Sequence, residues 1–138
     1  MDVLPEWPLG TVAILATAGG APHAIPVSTA LRAGSRTVLL ALAPRRESRA
    51  RLRADARCAL ALLAAGDVAL TAHGRADVLA DPLPGGVVAI RLAVERIQDH
   101  GQATFAIEAG VGWRWTEAAA ERRDGEVRAA LAALAARM

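Results

Sequence analysis

Short apolar runs separated by turn residues dominate the first two thirds of the chain. The runs cover residues 11–17, 23–31, 37–42, 57–64 and 68–80, and a sixth, at 88–95, alternates large apolar residues with polar or small ones. Runs of this length with a period of two predict β-strands. Helical propensity at 91–98 leaves a helix as the alternative for the sixth run. Pro26 interrupts the second run, which predicts an edge strand, a bulge or a place where a ligand replaces a neighbouring strand.

Two segments predict helices. Residues 47–54 are helix formers with Leu52 as their one large apolar anchor, and Thr116 is placed to cap a second helix that begins at Glu117 and restarts at 124–125. Three apolar residues share one face of this last helix: Val127, Leu131 and Leu134.

The order of these elements predicts a mainly β fold. Six strands with short turns, one helix midway and one at the end describe a small antiparallel barrel, and residues 104–108 and 112–115 look like two further short strands. No linker composition divides the chain, so residues 1–138 are expected to form a single domain. Glycine-rich dinucleotide-binding and P-loop motifs do not occur in the sequence.

Composition adds an expectation of self-association. Hydrophobic residues make up 54% of the chain but aromatic residues only 3%, so much of the apolar content is alanine, which buries little area. A second copy would supply the missing apolar contacts. The single cysteine, Cys58, lies in an apolar run and is predicted to be a buried thiol in a reducing compartment. The apolar runs are too short to span a bilayer and the N-terminus lacks a secretory signal, so no membrane association and a cytoplasmic location are expected.

Reactive side chains are sparse. The three histidines lie far apart without cysteines or carboxylates at ligand spacing, so no metal site is predicted. His23 and His100 are expected in solvent, and His73 is expected to be hydrogen-bonded within a strand. The serines lack the G-x-S-x-G elbow of hydrolases. Such a chain suits a protein that binds and orients a cofactor, which then supplies the chemistry.

The most informative segment is rich in arginine. Residues 45–57 contain six arginines and two acids, so this segment carries a net charge of +4 while the rest of the chain carries −2. Guanidinium groups match phosphate oxygens in pairs. Basic charge confined to one turn without aromatics suits one small anion better than a nucleic acid. The alternative is a solvated helix with one basic face, and drift in composition is an alternative reason for the arginines.

The order and spacing of several motifs resemble those of the pyridoxamine 5′-phosphate oxidase-like FMN-binding split β-barrels. The matching segments are residues 20–27 (GAPHAIPV), the serine- and arginine-rich turn, residues 52–57 (LRADAR) and residues 74–76 (GRA), within a region that spans roughly 7–98. The resemblance implies a six-stranded antiparallel split β-barrel that works as a homodimer, with a flavin between the two subunits.

The resemblance also implies which residues meet the cofactor. Arg46, Ser48, Arg49 and Arg51 match the phosphate-binding turn, whereas Val27, Ser28 and Thr29 match the strand beside the isoalloxazine ring, with Ala41 and Ala43 close by. The arginine motif with which true pyridoxamine phosphate oxidases bind substrate is missing, so vitamin B6 oxidation is not expected.

Trp113 and Trp115 are expected on one face of a strand, where Trp115 could stack on the cofactor ring across the dimer interface. The alternative is that both indoles fill the core or seal the dimer. The expected function is therefore an FMN-dependent oxidoreductase acting on a small molecule. The deazaflavin F420 as cofactor, and a non-catalytic dimer that binds flavin or haem, are the alternatives.

Overall fold

Strands and helices follow one another along the chain in nearly the predicted order. The computed structural model describes residues 1–43 and 46–138; Pro44 and Arg45, which belong to the predicted arginine-rich turn, lie outside the described residues. The elements are β1 (Ala13–Thr17), β2 (His23–Val27), β3 (Leu31–Gly34), β4 (Thr37–Leu42), α1 (Glu47–Ala54), β5 (Arg57–Ala64), β6 (Val68–Pro82), a 3₁₀ turn (Pro84–Gly86), β7 (Val88–Asp99) and α2 (Ala118–Ala136).

The strands form one antiparallel sheet in the order β2-β1-β5-β6-β7-β4-β3. β2 and β3 are its two edges, so the sheet is split rather than closed by hydrogen bonds in the part of the chain that is described. The prediction of a mainly β split barrel with a middle and a C-terminal helix is confirmed. So is the sixth predicted strand, which is β7 and not a helix.

The strand count differs from the prediction because the second predicted strand ends early and a further strand, β3, begins at its last residue. β2 ends at Val27, and the chain crosses residues 28–30 to begin β3 at Leu31, on the opposite edge of the sheet. A single strand at 23–31 is therefore wrong, since residues 28–30 belong to no strand and Leu31 is the first residue of β3. The edge position expected from Pro26 is confirmed, because proline has no N–H to donate to a further strand.

Apolar side chains pack on both faces of the sheet. The larger cluster lies inside the curved sheet, where Leu15, Leu40 and Leu60 are fully buried and Leu52 of α1 closes one side. The smaller cluster lies between the outer face of β4 and α2, around Leu39. β4 is therefore buried on both faces, which explains its unbroken apolar sequence.

Cys58 belongs to the larger cluster, as predicted. Burial among apolar side chains raises the pKa of its thiol to about 12, so the group stays neutral.

A bulge interrupts the pairing of the long strand β6 with β7. The pairing register shifts between His73 and Gly74, and a Cβ atom at Gly74 would lie 2.0 Å from the carbonyl oxygen of Ala93. Only glycine permits this approach of two backbones. The imidazole of His73 lies 3.2 Å from Oε1 of Gln98 on β7, which confirms a hydrogen-bonded histidine within a strand.

The segment between β7 and α2 has a different secondary structure from the one predicted. Residues 104–108 and 112–115 form no strands, because this segment is held by isolated contacts rather than a ladder; one joins the N–H of Ile107 to the carboxylate of Asp67. α2 is continuous through 124–125, and its N-cap is Glu117 rather than Thr116. Its predicted apolar face is confirmed, since Leu131 and Leu134 are buried on β4. None of the helices in the two described ranges is long and apolar enough to cross a bilayer.

Candidate functional site

The predicted ring-binding residues lie beside the end of β4. The hydroxyl of Thr29 accepts a hydrogen bond from the N–H of Ala41 at 2.9 Å and lies 3.4 Å from the carbonyl oxygen of the same residue. On the other side, the indole N–H of Trp7 donates to the carbonyl of Ala30 at 2.9 Å. Thr29 is thus fixed next to β4, although the chain has only just left β2 at the opposite edge of the sheet.

The end of β4, next to Thr29, is followed in the chain by the arginines of α1. The N–H of Arg46 donates to the carbonyl of Ala43 at 3.1 Å, and Arg46 is the N-cap of α1 with an exposed side chain. One turn further along, Arg49 is half-buried, and together with Arg53 it borders a groove of ≈ 420 Å³ between α1 and the connection from β6 to β7. The contacts Thr29–Ala41 and Ala43–Arg46 therefore form a continuous path from the end of β2 to α1.

Ser48 does not face this path. Its side chain is fully buried, and its hydroxyl lies 3.1 Å from Nε2 of His23. The other ring nitrogen of His23 lies 2.8 Å from the carboxylate of Glu47. Only 19% of the His23 side chain is exposed, so the prediction of a solvent histidine is wrong: α1 packs on the start of β2 and covers the imidazole.

Arg51 is also engaged within the fold. Its guanidinium donates to the carbonyls of Gly19 at 2.8 Å and Ala21 at 2.5 Å, and it pairs with Glu47 at 3.4 Å. The side chain is 18% exposed. Arg51 therefore fastens α1 to the β1–β2 turn, and Ser48 and Arg51 have contacts of their own where the sequence predicts phosphate contacts.

Ser48, His23 and Glu47 are connected in the order of a nucleophile, a base and an acid. Such an arrangement serves acyl transfer when the serine hydroxyl can reach a substrate. Here the hydroxyl has no exposed surface, so the three residues join α1 to β2 instead. Sequence reasoning missed this network because its members lie 25 residues apart and no local motif relates them.

Two residues of α2 connect Trp115 to Ser28, one of the predicted ring-binding residues. Its indole N–H is 3.4 Å from the carboxylate of Asp124, which also accepts a hydrogen bond from Arg128 at 2.7 Å. Arg128 in turn reaches to 3.5 Å from the hydroxyl of Ser28. Asp124 and Arg128 are site residues that sequence reasoning missed, although their spacing of four on a helix is a signal for an ion pair.

The two indoles are partly exposed. Trp113 is 40% and Trp115 39% exposed, and their ring centroids are 5.5 Å apart at an interplanar angle of 85°. The interpretation that they fill the core is therefore wrong for this chain.

The predicted cofactor residues thus gather in two places. One group lies around the start of β3 and the middle of α2 and consists of residues 27–29, Ala41 and Trp115. The other lies along α1 and consists of Arg46 and Arg49, and Ala43 lies between the two groups. Ser48 and Arg51 support α1 from its opposite side.

No protein-family profile and no curated protein sequence matches this chain. Solved structures match its fold at low identity. A Listeria innocua protein provisionally named pyridoxamine 5′-phosphate oxidase is 16% identical, with a TM-score of 0.56 over 67% of this chain and 90% of that protein. A FAD-binding protein of Mesorhizobium loti is 17% identical, with a TM-score of 0.53 over 63% of this chain and 83% of that protein. A haem-binding protein of Mycobacterium smegmatis is 19% identical, with a TM-score of 0.53 over 64% of this chain and 48% of that protein.

Identities of this size establish a shared fold and not a shared ligand. Together with the split seven-stranded sheet, its middle helix and its C-terminal helix, they identify the architecture. The chain has the fold of the pyridoxamine 5′-phosphate oxidase-like split β-barrels.

Proposed function

We propose that this protein is a homodimeric FMN-dependent oxidoreductase acting on a small molecule. The observation that carries the proposal is the run of contacts from Thr29 to Ala41 and from Ala43 to the backbone of Arg46, which begins the helix that also carries Arg49. A polar strip that ends at the start of an arginine-bearing helix suits a molecule with a flat polar ring at one end and a phosphate at the other.

Arg46 and Arg49 are the proposed phosphate ligands. Glu47 contacts His23 and Arg51, on the side of α1 that meets β2 and the β1–β2 turn. The N–H groups of the first helical turn add neutral donors to these cations. Ser48 and Arg51 support this site by fixing α1 in place and are not themselves proposed to touch the phosphate.

The ring is proposed to lie along residues 27–29. β2 is an edge strand, so one side of its backbone is not covered by a further strand of the sheet. Backbone donors and acceptors there would meet the polar edge of the ring, while Ala41 and Ala43, which are small, allow a flat group to approach β4. Bound FMN would supply hydride or electron transfer, and the chain's part is to bind and orient the reacting partners.

The proposed dimer is supported by the outward face of β1 and β5. Ile14 is 42% and Leu63 57% exposed, and Ala61, opposite Ile14 in the ladder, is exposed beside them. An apolar sheet face of this kind is typical of an interface. Changing Leu63 to glutamate should convert a dimer to a monomer in sedimentation equilibrium, whereas an unchanged mass would contradict this choice of face.

The named structural relatives also support a flavin, because one is called a FAD-binding protein and one a pyridoxamine 5′-phosphate oxidase. Haem is an alternative through the third relative, and F420 is the alternative that the resemblance to split barrels leaves open. The visible absorption spectrum of the purified protein, before and after incubation with FMN, separates these ligands because flavin, deazaflavin and haem absorb at different wavelengths.

An equilibrium titration with FMN then tests the proposed contacts. Arg46→Ala and Arg49→Ala should each weaken FMN binding by roughly tenfold or more, since a charge-assisted hydrogen bond contributes about 1.5–3 kcal/mol. Arg122→Ala removes the same charge from an exposed site on α2 and should leave the affinity unchanged. Equal affinities for all four proteins would contradict the phosphate site.

A further inference from the structure

The two exposed indoles form one wall of a surface groove. The groove has a volume of ≈ 470 Å³ and is bordered by Trp113, Trp115, the first half of α2 and Leu9. This volume lies within the range of small-molecule sites. The chain has only four aromatic residues, and the groove uses two of them.

Hydrogen bonds hold both rings in place. The indole N–H of Trp113 donates to the carbonyl of Gly10 at 2.8 Å, and that of Trp115 approaches Asp124 at 3.4 Å. The polar atom of each ring is therefore engaged, and the guanidinium of Arg128 lies over Trp113 at 5.9 Å from the ring centroid. What the rings offer a ligand is their remaining apolar faces and edges. Rings fixed edge-to-face at 5.5 Å lose little conformational entropy when a third ring stacks beside them.

The charges around the groove balance. Arg114 and Arg128 face Glu121 and Asp124, and Arg128 is bound to Asp124 at 2.7 Å with 21% and 16% of the two side chains exposed. An anionic ligand would have to compete with this carboxylate for Arg128. The groove therefore favours a neutral molecule over an anion.

A second, apolar pocket adjoins the groove at Leu9 and Arg128. It has a volume of ≈ 240 Å³ and lies between α2 and the start of β3, with Thr29 and Leu131 in its walls. Because Thr29 belongs to the strip proposed to meet the flavin, a ligand in the groove could extend an apolar substituent toward the ring-binding residues.

We propose that this groove binds a neutral, planar aromatic compound, stacked on Trp113 and Trp115 with its apolar substituent in the adjoining pocket. The role of that compound as the substrate rests on the proposed function; its binding does not, because the groove is built from contacts that do not involve a flavin.

The test uses flavin-free protein and the probe 2-naphthol. Titration followed by NMR should shift the indole N–H resonances of Trp113 and Trp115 in a saturable way. Trp7, whose indole is bonded to Ala30, gives an internal reference in the same spectrum. The charged analogue 2-naphthoate should bind at least tenfold more weakly, because the carboxylate of Asp124 already occupies Arg128.

Two variants give independent readouts. Trp113→Ala removes the stacking surface and should weaken 2-naphthol binding at least tenfold. Gly125→Leu fills the groove from α2, where an added Cβ meets nothing within 4 Å, so this helix position accepts the side chain while the groove is blocked. Arg122→Ala, on the exposed side of the same helix, should bind as the wild type does.

Three results would overturn the proposal: no saturable shift of the two indole resonances, unchanged affinity in Gly125→Leu, or loss of dimers in Trp113→Ala, which would mean that a second copy covers the groove. Failure of FMN to bind while 2-naphthol binds would reject the proposed function and leave the groove assignment intact. Normal FMN binding without 2-naphthol binding would do the reverse.

Discussion

Arg51 is expected to stabilise the fold rather than to bind phosphate, and replacing it with alanine tests this assignment. The guanidinium donates to two carbonyls of the β1–β2 turn and pairs with Glu47, with most of its side chain buried. A hydrogen bond to a charged group contributes about 1.5–3 kcal/mol. Glu47 is 61% exposed and the contact at Ala21 is also exposed, so these two add little. We therefore expect Arg51→Ala to lower the free energy of unfolding by about 2–3 kcal/mol.

The assay is thermal and denaturant unfolding of Arg51→Ala beside Arg53→Ala. Arg53 lies on the same helix with an exposed side chain, so its replacement makes the same change in charge and in helix propensity. A loss of about 2–3 kcal/mol corresponds to a fall in Tm of roughly 6–12 °C for a domain of this size. Arg53→Ala should stay within about 0.5 kcal/mol of the wild type. Equal stability of the two variants would refute the structural role and return Arg51 to the candidates for phosphate binding.

Three further predictions concern individual residues. Gly74→Ala should destabilise the protein by about 3 kcal/mol or more in urea unfolding, because the added Cβ would collide with the β7 backbone. Gly125→Ala adds a Cβ in open space on α2 and should stabilise the protein by about 0.5–1 kcal/mol. Cys58 should react with a thiol reagent at pH 8 roughly a thousandfold more slowly than in the unfolded chain, since burial raises the pKa of its thiol to about 12. For the same reason the free energy of unfolding should fall as the pH rises above about 9, where only the thiol of the unfolded chain ionises. Hydrogen bonds from the side chain of Arg57 are the largest cause that lowers the pKa of Asp55 to about 2, so the stabilising contribution of this carboxylate should be lost only as the pH falls through the acid range toward 2. An NMR titration of the carboxyl should show this midpoint. Arg57→Ala should raise it but leave it below 3.8, because the backbone N–H of residue 57 still donates to the carboxylate.

The strands could be predicted from the sequence where one face of each is buried and the other is not. β7 shows this clearly, because Ile90 and Leu92 point into the core while Arg91 lies between them on the other face. The apolar face of α2 was visible for a similar reason, since residues spaced by four and three meet the same neighbour. Local periodicity carries this information and needs no knowledge of the partner element.

The site was only partly predictable because its decisive contacts join distant segments. Nothing near His23 indicates that α1 will cover it, and nothing near Arg51 shows that the carbonyl of Gly19 lies within 2.8 Å. The sequence placed Ser48 and Arg51 on a short helix but could not tell which side of its eight residues would face the sheet. Trp113 and Trp115 misled for another reason, because alternating indoles look like a strand although hydrogen bonds to Gly10 and Asp124 hold them without a ladder.

A crystal structure of the protein grown with excess FMN tests the central proposal most directly. We predict a dimer in which the phosphate lies within hydrogen-bonding distance of the guanidinium groups of Arg46 and Arg49, with the ring beside residues 27–29. A structure in which α1 faces bulk water and FMN is absent from this strip, or binds elsewhere, would contradict it.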